Sequence, residues 1–437
     1  MDVGGSLDRF FHMTERGTNV RIEFKGALLT FLAMSYIMVV NPTMMVDAGI
    51  DYSVAYTSTI LISAFGCIMM GLYANYPVAL APAMGVNAFF VYTVVLGMGY
   101  SWIDALMAMF LAGIIFLVTS ISGLREKMLH SIPMSIKRAI TVGIGCFITF
   151  IGLSNAGLIV SSPSTLITLG DVSNIGVALS LFSVLVTLLF RSRGISVAAL
   201  IGMVLTAILG LAVGVISPPD AVFSIPALPE LGTMFTSLDS ISFDGGFLMV
   251  TVSAFMVLFF DGSGTLIATA GRADLPNEGD DFARAMVADA ATVSASAVIG
   301  TTPASAFAES TVGIEAGSRT GLTPIIIALF FIAALFIGPL FQIFDYHCTV
   351  GAMTLVAIAM MSEVKEIDWG DWPVSAAAVI TILMMLLTYS ITNGIMFGII
   401  VYTICMLGAG RVRELNVGVV GLTLIFAVYL FSIALFL

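Results

Sequence analysis

Residues 76–95, YPVALAPAMGVNAFFVYTVV, and residues 300–317, GTTPASAFAESTVGIEAG, decide the reading of this chain. Each opens on small residues punctuated by proline, and each then carries one strongly polar side chain: Asn87 after Pro82, Glu309 after Pro303. Proline removes a backbone donor and pushes the preceding residue out of the helical region, so neither stretch sustains a full-length helix. Both lie among apolar runs long enough to cross a bilayer. Interrupted backbone at that depth is tolerable only where protein or a wet cavity satisfies its polar groups. Two interruptions in matching places of two halves are the mark of a midplane binding site in a transporter.

Composition agrees. Of 437 residues, 59% are apolar and 10% charged, with 16 Lys and Arg against 27 Asp and Glu. A soluble chain carries about 25% charged residues. These counts exclude a soluble enzyme, a disordered chain and a nucleic-acid binder. At about 20 residues per crossing and roughly 10 per connection, the length allows about 14 spans. The net charge of −11 sits partly in loops and specifies no partner. Cys67, Cys146, Cys348 and Cys405 lie in apolar stretches without CxxC spacing and read as small core residues. The first 25 residues are polar and charged, so the first apolar run reads as a retained span rather than a cleaved signal.

Apolar runs fall at 26–41, 54–73, 78–97, 102–123, 137–154, 174–190 and 195–216, then at 247–270, 284–299, 301–317, 322–343, 349–362, 374–388 and 391–408. A further run, 415–436, is left over. With this count every Lys and Arg falls on one side: Arg9, Arg16, Arg21 and Lys25; Arg125, Lys127, Lys137 and Arg138; Arg191 and Arg193; Arg272 and Arg284; Arg319; Lys365; Arg411 and Arg413. The alternate loops contain no base. The positive-inside rule makes the basic side, and the N-terminus with it, cytoplasmic. The base-free loop 217–246 divides the chain into two sets of seven. Seven is odd, so the second set runs upside down relative to the first. The expected fold is an all-α polytopic membrane protein of 14 segments in a 7+7 inverted repeat, with residues 1–216 and 247–410 as the two repeats and short extended stretches in the third and tenth segments.

Intramembrane carboxylates are costly and need a reason. Asp261 interrupts VSAFMVLFFDGSGTLIATA, and Glu309 lies in the broken tenth segment. Both read as functional, against the alternative of a structural acid capping a half-helix. Asp289, five residues beyond Arg284, reads as a solvated or capping acid near the cytoplasmic face. Asn87 can donate and accept at once. A helix starting near Gly85 presents free backbone N–H groups to the cavity. The DGSGT glycines, Gly264 among them, permit close backbone approach, and Thr265 follows. Phe89, Phe90, Phe260 and Phe307 lie nearby in sequence; each is more readily a packing residue than a stacking platform, although a flat ligand would want one. Two carboxylates, an amide, backbone donors and an aromatic ring suit a flat, neutral, N–H-rich molecule. Protonation removes the cost of an uncompensated buried charge, so Asp261 and Glu309 are also the proton-coupling candidates. His12, His130 and His347 fall in loops or at their borders and are assigned no proton.

At these residues the chain resembles the nucleobase transporter superfamily, in its adenine/guanine/hypoxanthine permease group. The resemblance runs through LDRFFHMTERGTNVRIEFKGALLTFLAMSYIMVVNP, APAMGVNAFFVYTVV, IGLSNAGLIV with TLITLGD, FFDGSGTLIATAGRADL, AESTVGIEAGSRTGLTP and MMSEVKEIDWGDW, in order. It implies a core domain (26–123 and 247–343) moving against a gate domain (137–216 and 349–408). It implies import of a purine nucleobase with a proton through the cytoplasmic (inner) membrane, often as a homodimer in the lipid bilayer, with no cofactor beyond the proton gradient. Its binding positions correspond to Asn87, Asp261 and Glu309. The residue three before Asp261, often an acid in that group, is Leu258 here, and Phe307 stands where tyrosine is common.

Two other readings keep part of this framework. An anion transporter of the same fold would use the half-helix N-termini, but Asp261 and Glu309 would repel its substrate. A transporter of a purine-like, non-standard heterocycle would keep the same contacts. A passive channel or membrane-embedded enzyme is a more remote alternative, since the spans hold neither an HExxH motif nor a Ser/His pairing.

Overall fold

The structure is a computed structural model that describes residues 3–125, 134–219, 221–241, 243–273, 275 and 279–436. A short α1 (Val3–Phe11) precedes the first long element, α2 (Val20–Met34), which Asn19 caps by accepting from the Ile22 amide at 3.1 Å. A break at Ser35 and Tyr36 leads into α3 (Ile37–Asp47), and α4 (Tyr52–Leu72) follows. The first segment therefore begins about two turns before residue 26 and carries Arg21 and Lys25 within its helix. The third segment is broken as expected: β1 (Leu80–Pro82), then α5 (Met84–Ala88), which continues as a π-helical run to Gly97. α6 (Trp102–Ile121) and α7 (Met134–Asn155) come next. Lys127 and His130 lie outside the described residues.

After α7 the chain forms an antiparallel hairpin, β2 (Ile159–Ser162) and β3 (Leu166–Leu169), in the connection between the fifth and sixth segments. α8 (Ile175–Ser192) and α9 (Ala198–Ala212) complete the first half. The second half runs α10 (Gly245–Arg272), α11 (Asp280–Ile299), β4 (Ala304–Ala306), α12 (Ser310–Glu315), α13 (Leu322–Ala334), α14 (Tyr346–Met361), α15 (Trp372–Leu387) and α16 (Ile391–Gly408). The remaining apolar run is α17 (Val417–Phe436), which packs on α16, where Thr403 and Thr423 share a hydrogen bond of 2.7 Å.

Among the described residues ten helices are long and apolar enough to cross a bilayer, counting Val20–Asp47 as one. Helices 84–97, 198–212, 372–387 and 417–428 are shorter. These helices follow the expected order, but 417–428 lies outside the expected set and the tenth segment holds only the six-residue α12, so a count of fourteen crossings is not shown. The third and tenth are shortened by their strands, and the seventh and thirteenth are themselves short.

The strands explain why broken backbone is stable here. β1 and β4 pair antiparallel, Leu80 opposite Ala306, Ala81 opposite Ser305 and Pro82 opposite Ala304, and all six residues are buried. The ladder extends through Phe307 N to Ala79 O at 2.9 Å and Ala83 N to Pro303 O at 3.0 Å. Side chains satisfy amides on the outer edges: Cys67 takes Leu80 N at 3.4 Å, Ser296 takes Ala304 N at 2.9 Å and Asp289 takes Ala306 N at 3.0 Å. Gly300, at φ +87°, ends α11 and lets the chain double back into β4. The two halves meet at this pair, related by a reversal of direction.

Packing separates the helices into two groups. α2–α4 and α6 pack with α10, α11 and α13, whereas α7–α9 pack with α14 and α15, and α16 packs on α15. The β1–β4 pair belongs to the first group; α5 reaches from it to α7 of the second, and α12 packs back on α2 and α10. All four cysteines are free; Cys67 and Cys348 are buried and the other two half-buried.

Candidate functional site

One cavity of about 530 Å³ lies where α5, α10 and the β4–α12 turn face α7 and α14. Its wall contains Tyr36, Met84, Gly85, Asp261, Gly264, Thr265, Phe307 and Glu309. Six of the seven binding positions read from the sequence therefore converge: Gly85, Asp261, Gly264, Thr265, Phe307 and Glu309.

The backbone places them. β1 ends at Pro82, so α5 begins at the cavity, and the first-turn amides of Met84 and Gly85 have no acceptor four residues earlier within the helix. A Cβ at Gly85 would lie 3.0 Å from Ile144 Cγ2 and 3.7 Å from Asp261 Oδ2, so glycine is what lets this helix start approach α7 and the acid. Asp261 projects from the middle of α10. Gly264, one turn on, faces open space, with no atom within 4 Å of where a Cβ would sit. β4 delivers Phe307, then Glu309, which stands at the N-cap position of α12 without making a side-chain cap bond. Glu309 therefore does not cap its own helix. Its Oε1 instead accepts from the Tyr36 hydroxyl at 2.6 Å, and the Tyr36 and Phe307 rings lie 6.1 Å apart. Glu309 thus retains Oε2 as a further acceptor.

Asn87 is the exception. It is fully buried and does not line the cavity, and neither its amide nitrogen nor its amide oxygen has a hydrogen-bond partner. At about 100° per residue, position 87 lies roughly 200° around the helix from Gly85, on the far side of α5. Phe89 and Phe90 are likewise buried away from the cavity, and the rings in its wall are those of Tyr36, Phe282 and Phe307; the Phe260 side chain lies outside the described residues.

Asp289 corrects the sequence reading more sharply. It is neither solvated nor at the surface: it and Arg125 are both fully buried, and they form an ion pair at 2.9 Å. Arg125, read as a loop charge, reaches inward from just beyond α6. Arg125 follows the fourth apolar run in sequence, and nothing near it signals a partner 164 residues away. Tyr36 was also missed, although it sits at the break between α2 and α3. At its other end the cavity opens between Met134, Lys137, Arg138, Met360 and Glu363, at the start of α7 and the end of α14. Among the described residues no group of three His, Cys, Asp or Glu side chains could hold a metal ion.

Comparison with known proteins places this geometry. The Permease family matches residues 21–397. The guanine/hypoxanthine permease PbuG of Bacillus subtilis (strain 168) is 40% identical, over 97% of this chain and 99% of its own length. The adenine permease AdeP of Escherichia coli (strain K12) is 38% identical, over 97% and 95%. Among solved structures, the transmembrane domain of a cyanobacterium bicarbonate transporter, BicA, superposes with a TM-score of 0.63 at 16% identity, covering 87% of this chain and 97% of that one. SLC26A9 superposes at 0.60 with 11% identity, covering 89% and 66%. These likenesses show the fold, a 7+7 inverted repeat of helices.

Proposed function

The chain belongs to the Permease family, whose members are transporters and not enzymes, and we propose that it imports a purine nucleobase together with a proton across the cytoplasmic membrane. The observation that carries this reading is the meeting of two carboxylates, Asp261 and Glu309, with the start of α5 in one cavity. Relatives named for guanine, hypoxanthine and adenine, similar over nearly the whole length, support the substrate class.

The residues divide the work by chemistry. A purine offers ring and exocyclic N–H donors along one edge and carbonyl or ring-nitrogen acceptors along another. Glu309 Oε2 and Asp261 take the donors. The first-turn amides at Met84 and Gly85 meet an acceptor. The Phe307 ring lies against the face of the base. A neutral ligand leaves two acids close together, and a proton taken up by one of them lowers the cost of holding both away from water. An anionic substrate would add a third negative charge, so the fold shared with anion carriers does not carry over their cargo.

Alternating access follows from the two packing groups. The cavity opens at the end rich in Lys137 and Arg138, which the positive-inside rule assigns to the cytoplasm, as it does the N-terminus. The gate helices α7 and α14 would slide against the core to move the opening to the other side.

Uptake of radiolabelled hypoxanthine, guanine and adenine in cells lacking their own purine carriers tests this. Uptake should be competed by unlabelled purines and not by sulfate or bicarbonate, and a protonophore should collapse it. Glu309→Ala should abolish uptake with the protein still in the membrane. Wild-type uptake in that variant, or competition by sulfate in place of purines, ends the assignment.

A further inference from the structure

The fully buried Arg125–Asp289 pair lies directly behind the cavity wall and is used by no step above. Its bonds reach four elements. Arg125 Nε donates to Ser263 Oγ at 2.9 Å on α10, and Nη1 donates to Met286 O at 2.9 Å on α11 and to Ser120 Oγ at 3.4 Å on α6. Nη2 donates to Asp289 Oδ2 at 2.9 Å, and the guanidinium lies 4.1 Å from the centre of the Phe116 ring. Asp289 Oδ1 accepts from Ser305 Oγ at 2.6 Å and Ala306 N at 3.0 Å, both on β4. Gly262 closes the arrangement: a Cβ there would lie 2.9 Å from Asp289 Oδ2 and would strike Ser305 Oγ.

Stability explains this cluster poorly. A buried ion pair gives back little more than its desolvation cost, and apolar residues of equal volume commonly do as well or better. Apolar residues could not do what the hydrogen bonds do here. Ser263 lies two residues after Asp261, and Ala306 lies three before Glu309, so one cluster grips both acid-bearing backbones next to their acids. The related strand of the first half, which carries no acid, has the Cys67 thiol at Leu80 and the Ser310 hydroxyl at the neighbouring Ala79 amide, with no charged group among these contacts.

We propose that Arg125 and Asp289 are positioning residues for the binding site: they clamp β4 to α10 and so fix the separation of Glu309 from Asp261. Their consequence for affinity rests on the purine reading above, whereas the clamp itself does not. The coupling is direct, because movement of either charge displaces Ser263 or Ala306 and with it the adjacent acid. Ser305 belongs to the same device; it is buried and outside the cavity wall, so its hydroxyl serves the clamp and not the ligand.

The test uses the purified full chain, with radiolabelled hypoxanthine, guanine and adenine as binding probes. Ser305→Ala, which removes one hydroxyl, should weaken binding about threefold to tenfold, and Asp289→Asn about tenfold or more. The exchanged pair Arg125→Asp with Asp289→Arg should regain folded yield over either single change, because the charges pair again. It should not regain affinity, because arginine at position 289 cannot accept the Ala306 amide. Spin labels at Gly264 and Ala308, on the two clamped backbones, give a readout without ligand. Their distance distribution should be narrow in the parent protein and broaden in Asp289→Asn and Ser305→Ala. Unchanged distributions, wild-type affinity in both single variants, or affinity restored by the exchange would each overturn the clamp. If the parent protein binds no purine while the two variants still broaden the distribution, the substrate assignment alone falls.

Discussion

Asp47, the last residue of α3, accepts a hydrogen bond from the hydroxyl of Tyr346, the first residue of α14, and so joins the two packing groups at the end away from the cavity mouth. Its other oxygen accepts from Tyr92 at 2.7 Å, and Asn155 at the end of α7 donates to that same tyrosine at 2.9 Å. α7 has 22 residues, so about 30 Å of helix separates Asn155 from the cavity mouth at Met134. The cavity is open at one end of α7 and α14, and the helices are tied together at the other.

Removing that tie should favour separation of the groups at the Asp47 end. Asp47→Ala deletes the acceptor for two phenols, worth about 2 kcal/mol in a partly exposed setting, or about 30-fold in the equilibrium. A cysteine replacing Thr93, buried between the groups with its hydroxyl 3.4 Å from Ile391 N, reports the change in a background without the native cysteines. A membrane-impermeant thiol reagent should label it slowly in the parent and at least about tenfold faster with Asp47→Ala. Equal labelling would show that closure at this end does not depend on the carboxylate.

Tyr36 is expected to act through Glu309. Its hydroxyl occupies Oε1 of this cavity-lining acid and leaves Oε2 for a further donor. Tyr36→Phe frees the carboxylate to rotate and should raise the half-saturating purine concentration about threefold to tenfold, part of the worth of the lost hydrogen bond, with maximal uptake little changed. A fall in maximal uptake at constant half-saturation would place Tyr36 in the transport movement and not in the grip on substrate.

The fold was legible because its decisive features are local. Proline among small residues breaks a helix wherever it stands, and the placement of bases sets segment parity without any knowledge of packing. Asp261 and Glu309 were legible because an acid in an apolar run is conspicuous by itself. What the sequence hid was pairing across distance. Nothing near Arg125 announces that its guanidinium reaches Asp289, 164 residues on, so both were read as surface charges. Asn87 lies off the cavity for a different reason: the match to Glu309 located it along the segment, but its face of α5 depends on where β1 ends and the helix begins. The β2–β3 hairpin had no alternation strong enough to separate it from a loop.

Asn87 therefore makes a separable prediction. Its two orphan amide atoms are buried at a cost of about 1–3 kcal/mol. Asn87→Leu, of similar volume, should raise the melting temperature of the purified protein. Uptake should fall nonetheless if the amide meets substrate once the groups have moved, which is the role its place in the third segment suggests. A more stable protein with full uptake would withdraw Asn87 from the substrate contacts altogether.

Asp261 tests the coupling. It stands beside the start of α5 and, unlike Glu309, has no described hydrogen-bond partner that would hold its proton inventory fixed, so it is the better placed of the two acids to gain and lose a proton during the cycle. Asp261→Asn keeps the shape and a hydrogen-bonding group while removing the charge. In proteoliposomes the variant should still exchange internal for external purine, with affinity lowered about tenfold for the lost charge-assisted bond. It should not accumulate purine when an inward proton gradient is imposed, because a neutral amide has no proton to carry. Exchange lost together with accumulation would mean that the charge is needed for binding itself. Gradient-driven accumulation at the parent level would move the coupling to Glu309, where the Tyr36 hydroxyl would have to release Oε1 in every cycle.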